Sequence, residues 1–260
     1  MIMNSIWISI IPLLIFNVFM LATAVAFRPV YRSNQRMQEV ENRHASKLLN
    51  RWMREYWFWL TDPLVRFFIK FKFTPNVLTG LGTFIGILSG VFFWKGHFGL
   101  GGWMMILGAS FDMFDGRVAR LTKHETKSGA YFDSVMDRIS EGAGCIGLVL
   151  YYQENFYQLI VMLCFLGSIM VSYAKSKGDE MGAKYSGGTM QRPERIVYLG
   201  VGAIFSPVFA ALINIFFKTS ITTEHLAELL YLIPLSFVAL MTWATSFDRM
   251  RHIMKMLDAS

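Results

Sequence analysis

Charged residues are scarce in this chain of 260 residues. Asp, Glu, Lys and Arg make up 17% of it, whereas hydrophobic residues make up 54%. Soluble globular domains carry about 25% charged residues, so the composition excludes an ordinary soluble domain of this length. The sequence therefore predicts a protein that crosses a membrane several times.

Cysteine and histidine are also rare. The two cysteines, Cys145 and Cys164, both fall within apolar runs, which favours two buried reduced thiols over a disulfide or a metal pair. The five histidines are scattered without the spacing of metal ligands, so no zinc site is expected. The chain shows neither internal repeats nor low-complexity tracts, and its chemistry has to lie in other polar residues.

Seven apolar runs are long enough for transmembrane helices, which need about 20 residues each. They cover residues 6–27, 77–94, 100–118, 132–152, 156–171, 196–217 and 226–245. The third and fourth runs contain acidic residues, and the fifth is short. These runs predict an all-α polytopic membrane protein.

The basic residues predict how the chain is oriented. The net charge is +7, and ten Lys and Arg residues crowd the connection after the first run. Because such residues accumulate on the cytoplasmic side, this connection and the C-terminus are expected inside and the N-terminus outside. Only Lys95 and Lys218 fall on the opposite side. The charge thus reflects membrane topology, and no nucleic-acid partner is expected.

The first run ends in ATAVA (Ala22 to Ala26), small residues that fit a signal-peptide cleavage site. However, no Lys or Arg precedes the run, and cleavage would leave the ten basic residues on the exported side. An uncleaved transmembrane anchor is therefore favoured.

Residues 46–73 interleave aromatic and basic side chains, as in RWMREYWFWL. This pattern favours an amphipathic helix in the headgroup layer that anchors the chain to the membrane surface. Pro63 is expected to bend or interrupt that helix.

Four aspartates lie in or beside membrane-length runs. Asp112 and Asp115 are three residues apart, and Asp133 and Asp137 are four apart, so each pair projects from one helix face. Ionisable groups in membranes usually face a cavity or a partner, and packed carboxylates repel unless cations lie among them. Oxygen ligands and substrate phosphates suit Mg²⁺. The two helices are therefore predicted to share a divalent-cation site.

Small residues accompany the aspartates. Gly116 and Ala119 lie on the same side of their helix as the first aspartate pair, and Gly129 opens the next segment. Glycine at such positions allows a bulky ligand to approach the backbone. Arg120, one turn after Gly116, offers a planar donor fork for a phosphate or a base.

The stretch DMFDGRVARLTKHETKSGAYFDSVMD, Asp112 to Asp137, matches a known signature at all eight fixed positions: DxxDGxxAR followed by GxxxDxxxD. It resembles the CDP-alcohol phosphotransferase family, and TPNVLTG (Thr74 to Gly80) resembles the start of that family's six-helix core. The resemblance covers about residues 46–251. It divides the chain into an N-terminal transmembrane anchor (1–28), a cytoplasmic connection with the amphipathic helix (29–73), a six-helix catalytic core (74–250) and a cytoplasmic tail (251–260).

The resemblance implies transfer of a substituted phosphate from a CDP-linked donor, such as CDP-diacylglycerol, to an alcohol, with release of CMP in phospholipid synthesis. It implies that Asp112, Asp115, Asp133 and Asp137 hold two Mg²⁺ or Mn²⁺ ions and that Asp137 also acts as the base. The residues that it assigns to CDP are Asp112, Gly116, Ala119, Arg120 and Gly129. A homodimer is consistent with it, since dimers are common in this family.

A second basic cluster between the fifth and sixth runs concerns the acceptor. Its pieces SYAKSK and QRPERI resemble the inositol-phosphate-using branch, in which basic residues hold the acceptor's phosphate, so Lys177, Arg192 and Arg195 are the candidates. Lys177 stands where that branch has an arginine, and the cluster also fits ordinary cytoplasmic charge. Glycerol phosphate and serine therefore stay open as acceptors.

Three other interpretations compete. Intramembrane prenyltransferases also use aspartate motifs, but theirs are usually far apart in sequence. An ion-coupled transporter would be expected to show repeats or broken helices. Purely structural aspartates would need cations such as Arg117, Arg120 and Arg138, which leaves the glycines unexplained.

Overall fold

The structure is a computed structural model that describes residues 2–32, 51–218 and 220–259. This part of the chain forms eight α-helices and no strand, so the prediction of an all-α fold is confirmed. Residues 33–50, with Arg36, Arg43 and Lys47 of the first connection, lie outside it. The helices are α1 (Ile2–Arg32), α2 (Arg51–Lys70), α3 (Pro75–Trp94), α4 (Phe98–Thr122), α5 (Lys127–Tyr151), α6 (Asn155–Glu180), α7 (Arg192–Phe217) and α8 (Thr223–Asp258).

Each of the seven predicted apolar runs corresponds to a helix, and α2 lies in the segment predicted to form the amphipathic helix. By length and composition, α1, α3, α6, α7 and α8 could each cross a membrane. Helices α4 and α5 are 25 residues long and carry the aspartates together with several arginines. The chain is an integral membrane protein with several spans.

Local sequence explains where the helices begin. Pro75 opens α3 and Pro193 lies in the first turn of α7, where a missing N–H costs nothing. The hydroxyls of Thr126 and Thr222 accept backbone N–H bonds at the starts of α5 and α8, which is how N-caps stabilise helices.

Helices α3 to α8 close into a ring. Around it, α3 packs on α4, α4 on α7, α7 on α8, α8 on α6, α6 on α5, and α5 on α3. Buried apolar side chains fill its interior, among them Phe93, Leu148, Val161, Tyr231 and Leu235. Helix α1 lies outside the ring against α2, α4 and α7.

The contact between α3 and α5 depends on glycine. A Cβ added to Gly147 would lie 2.0 Å from the carbonyl oxygen of Gly90, and one added to Gly86 would overlap the hydroxyl of Ser140. The two backbones therefore touch, which holds the start of α3 beside the aspartates of α5.

Helices α6 and α8 are longer than the apolar runs that predicted them. Helix α6 extends to Glu180 and α8 to Asp258, although the runs end at residues 171 and 245. Residues 251–258, predicted as a tail, continue α8. A hydrophobic run marks the part of a helix that faces apolar surroundings, and the backbone hydrogen bonds continue beyond it.

Pro63 does not interrupt α2, which runs unbroken from Arg51 to Lys70. The prediction of an interruption was wrong because the helix is held by its neighbours. Its buried stripe, which includes Phe58, Thr61 and Val65, packs toward α4. This packing outweighs the backbone hydrogen bond that proline removes.

Candidate active site

The aspartates of α4 and α5 converge. One carboxylate oxygen each from Asp112, Asp133 and Asp137 lies within 4.8 Å of the other two. These carboxylates are partly buried and line a small cavity together with Asp115. Hard oxygen ligands at such separations are those that Mg²⁺ and Mn²⁺ prefer, so the donor set fits a divalent ion.

Asp115 is the most buried member of the group, with 6% of its surface exposed. Its Oδ2 accepts a hydrogen bond of 2.5 Å from the hydroxyl of Thr79 on α3. Thr79 is a site residue that the sequence reasoning missed, although it lies in the TPNVLTG stretch. The bond fixes the carboxylate of α4 against the first turns of α3.

An open cleft of about 210 Å³ adjoins the aspartates. Asp115 and Asp133 form its inner end, and Gly116, Ala119 and Gly129 line its walls. Gly116 and Ala119 therefore lie on the side of α4 that carries Asp115, as their spacing predicted, and Gly129 of α5 lines the same cleft. Asn76, Thr79 and His124 also line the cleft, and none of them was assigned a role from the sequence.

Arg120 lies at the edge of this cleft. A Cβ added to Gly116 would lie 3.4 Å from Arg120 Nη1, so the guanidinium rests over the glycine one turn earlier. A larger side chain at residue 116 would displace it. The arginine therefore flanks the backbone that the glycine exposes.

Arg192, at the start of α7, reaches the aspartate cluster from a third helix. Its Nη1 donates to Asp112 Oδ2 at 2.9 Å, and its Nη2 donates to Asp137 Oδ1 at 2.6 Å. Arg192 was not among the cations considered from the sequence as structural partners of the aspartates. Of those cations, Arg117 instead pairs with Asp62 on α2, whereas Arg138 lies near the cluster and faces Glu141 at 3.9 Å.

Glu141 joins the two arginines of α7. Its Oε1 accepts a 2.8 Å hydrogen bond from Arg195 Nη2 and lies 3.5 Å from Arg192 Nε. Arg195 is almost fully buried, with 2% of its surface exposed. Glu141 was missed from the sequence, although it continues the spacing of Asp133 and Asp137 by another four residues along α5.

Beyond Arg192 lies a second, mostly apolar cavity of about 50 Å³. Arg192, Arg195, Glu141 and Ser140 form its polar end. Ser140 and Arg192 also line the small cavity of the aspartates, which in turn shares Thr79 with the open cleft. Cleft, aspartate cluster and arginine cavity therefore adjoin one another in that order.

Lys177 is not brought to this group. Its ammonium donates to Glu180 Oε2 at 3.0 Å on the exposed end of α6. Lys177 lies outside the lining of all three cavities. Of the three acceptor candidates, the structure places Arg192 on the aspartates and Arg195 beside it, on Glu141.

Helix α8 holds the loop that leads into Arg192. Arg249 donates to the carbonyl oxygens of Gly187 and Val171 at 2.8 and 2.7 Å. The hydroxyl of Thr245 accepts from the backbone N–H of Met190 at 3.3 Å. The start of α7 is therefore anchored by α8, its neighbour in the ring, and with it both arginines.

Sequence comparison agrees with this geometry. Residues 72–248 match the sequence model of the family described as CDP-alcohol phosphatidyltransferase. The phosphatidylinositol phosphate synthase of Mycobacteroides abscessus is 34% identical over 161 residues, which span 60% of this chain and 73% of that protein. The synthase of the same name from Corynebacterium glutamicum is 36% identical over 150 residues, 55% of this chain and 68% of that protein.

Solved structures share the fold. A crystal structure of Mycobacterium tuberculosis phosphatidylinositol phosphate synthase with CDP-DAG bound is 26% identical in sequence, with a TM-score of 0.60 over 74% of this chain and 92% of that one. The same enzyme in complex with manganese and citrate gives a TM-score of 0.62 over 75% and 88%. The chain is thus a membrane transferase that belongs to the CDP-alcohol phosphatidyltransferase family.

Proposed function

We propose that this enzyme transfers a phosphatidyl group from CDP-diacylglycerol to inositol phosphate and releases CMP. The observation that carries the proposal is the order of three adjoining cavities: an open cleft, the aspartate cluster and an arginine cavity. Such an order suits a reaction in which two anionic substrates meet at a central group of carboxylates.

The open cleft is the proposed donor site. Gly116 and Gly129 leave their backbones accessible there, so a diphosphate can approach closely. Arg120 offers its guanidinium to a phosphate oxygen or to the base. With Asp112 and Ala119, these residues form the CDP contacts that the resemblance implies, and binding of CDP-DAG by a structural relative supports the assignment.

Asp112, Asp115, Asp133 and Asp137 would hold the two divalent ions, and oxygens of three of them, Asp112, Asp133 and Asp137, lie within 4.8 Å of one another. Mg²⁺ or Mn²⁺ bound there supplies Lewis-acid stabilisation of the negative charge on the leaving CMP. A relative whose structure contains manganese supports this choice. The site combines carboxylates with substrate phosphates, as Mg²⁺ sites commonly do.

Asp137 is the proposed base. The acceptor hydroxyl gives its proton to the carboxylate as its oxygen attacks the phosphorus that carries the diacylglycerol. The bond from that phosphorus to the bridging oxygen breaks, and CMP leaves with the electron pair. Arg192, which contacts both Asp137 and the arginine cavity, is suited to bring the acceptor to the base.

Inositol phosphate is favoured as acceptor because its phosphate needs cationic partners. Arg192 and Arg195 lie at the polar end of the arginine cavity, and guanidinium forks bind phosphate oxygens in pairs. Relatives named phosphatidylinositol phosphate synthase support the same choice. Glycerol phosphate also carries a phosphate that these arginines could bind, so the acceptor assay has to distinguish it from inositol phosphate.

The test is CMP release by the purified protein with Mn²⁺ and CDP-diacylglycerol. Inositol phosphate, glycerol phosphate, serine and inositol are compared as acceptors, and inositol phosphate should give the highest kcat/KM. Arg195→Met should raise the KM for the acceptor, with recovery at high acceptor concentration. Lys184→Met, at an exposed position in the loop before α7, should not. Preference for another acceptor would contradict the assignment, and no CMP with any acceptor would contradict the reaction.

The active site is proposed to lie on the cytoplasmic side, with the N-terminus outside and the C-terminus inside. The distribution of Lys and Arg supports this orientation. The division into anchor, connection, six-helix catalytic core and tail is proposed from the resemblance, with the tail now the end of α8. The homodimer stays a prediction.

A further inference from the structure

Arg117 is a buried arginine beside the donor cleft that the proposed reaction does not use. Only 4% of its surface is exposed, and it occupies a variable position of the signature, between Gly116 and Ala119. A buried guanidinium is costly unless its donors are satisfied. Its partners therefore indicate what it does.

The described partners of Arg117 lie on α2. Its Nη1 donates to the hydroxyl of Thr61 at 2.8 Å and to the carbonyl oxygen of Phe58 at 3.2 Å. Its Nη2 donates to Asp62 Oδ1 at 3.3 Å. The guanidinium also lies 4.6 Å from the centre of the Phe58 ring, within the range of cation–π attraction.

These contacts bind α2 to the face of α4 that lies opposite the cleft. At about 100° per residue, Phe114, Arg117 and Val118 lie on one face of α4, whereas Asp115 and Gly116 lie on the other. The first face packs on α2 and the second lines the donor cleft. A rotation of α4 that loosened Arg117 would therefore turn the aspartate and the glycine away from the donor.

The apolar packing between α4 and α2 does not by itself define that rotation. Phe114 and Val118 pack with Val65 and Phe68 of α2, but hydrophobic attraction is non-directional. A planar guanidinium with several hydrogen bonds has a defined orientation. Arg117 therefore adds angular definition to a contact that burial already stabilises.

Helix α2 is itself held by α1 at its other half. Phe27 of α1, only 2% exposed, lies among Trp52, Tyr56 and Trp59 of α2, with ring centres 5.8, 5.6 and 5.4 Å away. The hydroxyls of Thr23 and Tyr56 are 2.7 Å apart. Both helices lie outside the region matched by the family model, which begins at residue 72.

We propose that Arg117 is a positioning residue that fixes the donor-site face of α4 to α2, so that the α1–α2 pair, outside the region matched by the family model, holds the proposed CDP and metal ligands in place. The inference deepens the proposed function, because it assigns the orientation of that same donor site. Arg117 acts through Asp115 and Gly116 and touches neither substrate.

The test compares Arg117→Met with Arg66→Met. Methionine keeps an apolar stem but removes the hydrogen bonds. Arg66 pairs with the same Asp62 at 2.6 Å, yet 79% of its side chain is exposed, so its loss should change little. Arg117→Met should raise the KM for CDP-diacylglycerol and the half-activating Mn²⁺ concentration by about tenfold or more, since small displacements of positioned groups cost large factors. The acceptor KM of Arg117→Met should change less than about twofold. In Arg66→Met, the donor KM, the acceptor KM and the half-activating Mn²⁺ concentration should each change less than about twofold.

Arg117→Lys, which keeps the charge without the fork, should recover part of the loss. A purely structural role would lower the yield of folded protein and the unfolding temperature without moving either KM, and that result overturns the inference. If Arg117→Met does not fold, Thr61→Val removes one acceptor at nearly constant shape and should shift the donor KM in the same direction. Unchanged donor and Mn²⁺ constants in that variant also overturn it.

Failure of the proposed function is recognised separately. Mn²⁺-dependent binding of CDP, measured by titration calorimetry, needs no acceptor and no turnover. If the wild-type protein releases no CMP with any acceptor but binds CDP, the reaction is wrong, while weaker binding by Arg117→Met still supports the inference. Equal CDP affinity in both proteins overturns the inference whatever the reaction.

Discussion

Asp137 offers the most direct test of the chemical step. Asparagine has nearly the same shape but cannot accept the proton of the acceptor hydroxyl. We expect Asp137→Asn to lower kcat by about 10²- to 10⁴-fold, the range that general bases contribute, with CDP-diacylglycerol binding largely retained. CMP release is measured at saturating Mn²⁺ and acceptor, so that weaker metal binding does not imitate the effect. Turnover close to that of the wild type would remove the base assignment.

Glu141 controls the two arginines of α7. Glutamine keeps its shape but removes the charge that faces Arg138, Arg192 and Arg195. We expect Glu141→Gln to raise the acceptor KM by about tenfold, the order expected when a charge-assisted hydrogen bond is weakened, with a smaller effect on the donor KM.

The matched control for this change is Glu180→Gln. Glu180 also pairs with a cation, Lys177, but its side chain is 67% exposed, so less than about a twofold change is expected. Steady-state kinetics with each substrate varied in turn separate the two KM values. An unchanged acceptor KM in Glu141→Gln would show that the arginines do not depend on this carboxylate.

At the residue scale, the sequence predicted which side chains share a helix face, because those residues lie close together in the chain. The two aspartate pairs and the glycines each lie within one or two helical turns, so their shared faces follow from helix geometry. Glu141 could have been found by extending the same stripe by four residues. The contact of Arg192 with Asp112, 80 residues earlier, could not, because it depends on how α7 packs against α4.

At the scale of elements, each apolar run predicted from hydropathy corresponds to a helix, but hydropathy did not predict where the helices end. The fifth run seemed short because it stops at residue 171, whereas α6 continues through SYAKSKGDE to Glu180. Polar residues at the end of a helix end the hydropathy signal, but the backbone hydrogen bonds of the helix continue through them. Pro63 illustrates the converse, since tertiary packing keeps α2 helical through a residue that disfavours helix.

The close contact of α3 and α5 gives a prediction about stability. Gly147→Ala would bring a methyl group to about 2.0 Å from the carbonyl oxygen of Gly90, and a backbone atom cannot move aside as a side chain can. We expect the free energy of unfolding to fall by at least about 1–3 kcal/mol, the usual cost of overpacking, and activity to fall because α3 and α5 both line the site.

Gly80→Ala is the control on the same pair of helices. A Cβ at Gly80 meets nothing within 4 Å, and alanine in a helix interior is favoured over glycine by about 0.5–1 kcal/mol. Thermal unfolding of the detergent-solubilised proteins should therefore shift down for Gly147→Ala and up or not at all for Gly80→Ala. A stable Gly147→Ala variant would mean that the two helices can separate without loss.

At the scale of the whole molecule, the ring brings the functional groups to one end of the bundle. Thr79 lies near the start of α3, the first aspartate pair lies in the second half of α4, Asp133 lies near the start of α5, and Arg192 starts α7. Successive helices run in opposite directions, so these positions share one membrane side. Loops on that side carry most of the basic residues, which links the location of the chemistry to the positive-inside prediction.

That orientation is tested with single cysteines. Ser220→Cys places a thiol in the connection between α7 and α8, and Lys255→Cys places one near the end of α8; both positions are exposed. The free thiols Cys145 and Cys164 are first replaced by alanine to remove background labelling. With the N-terminus outside, residue 220 faces the exterior and residue 255 the cytoplasm. A membrane-impermeant maleimide should label Ser220→Cys in intact cells and Lys255→Cys only after permeabilisation. The reverse pattern would invert the topology and place the aspartate cluster on the outer side, where it could not use a cytoplasmic CDP-linked donor.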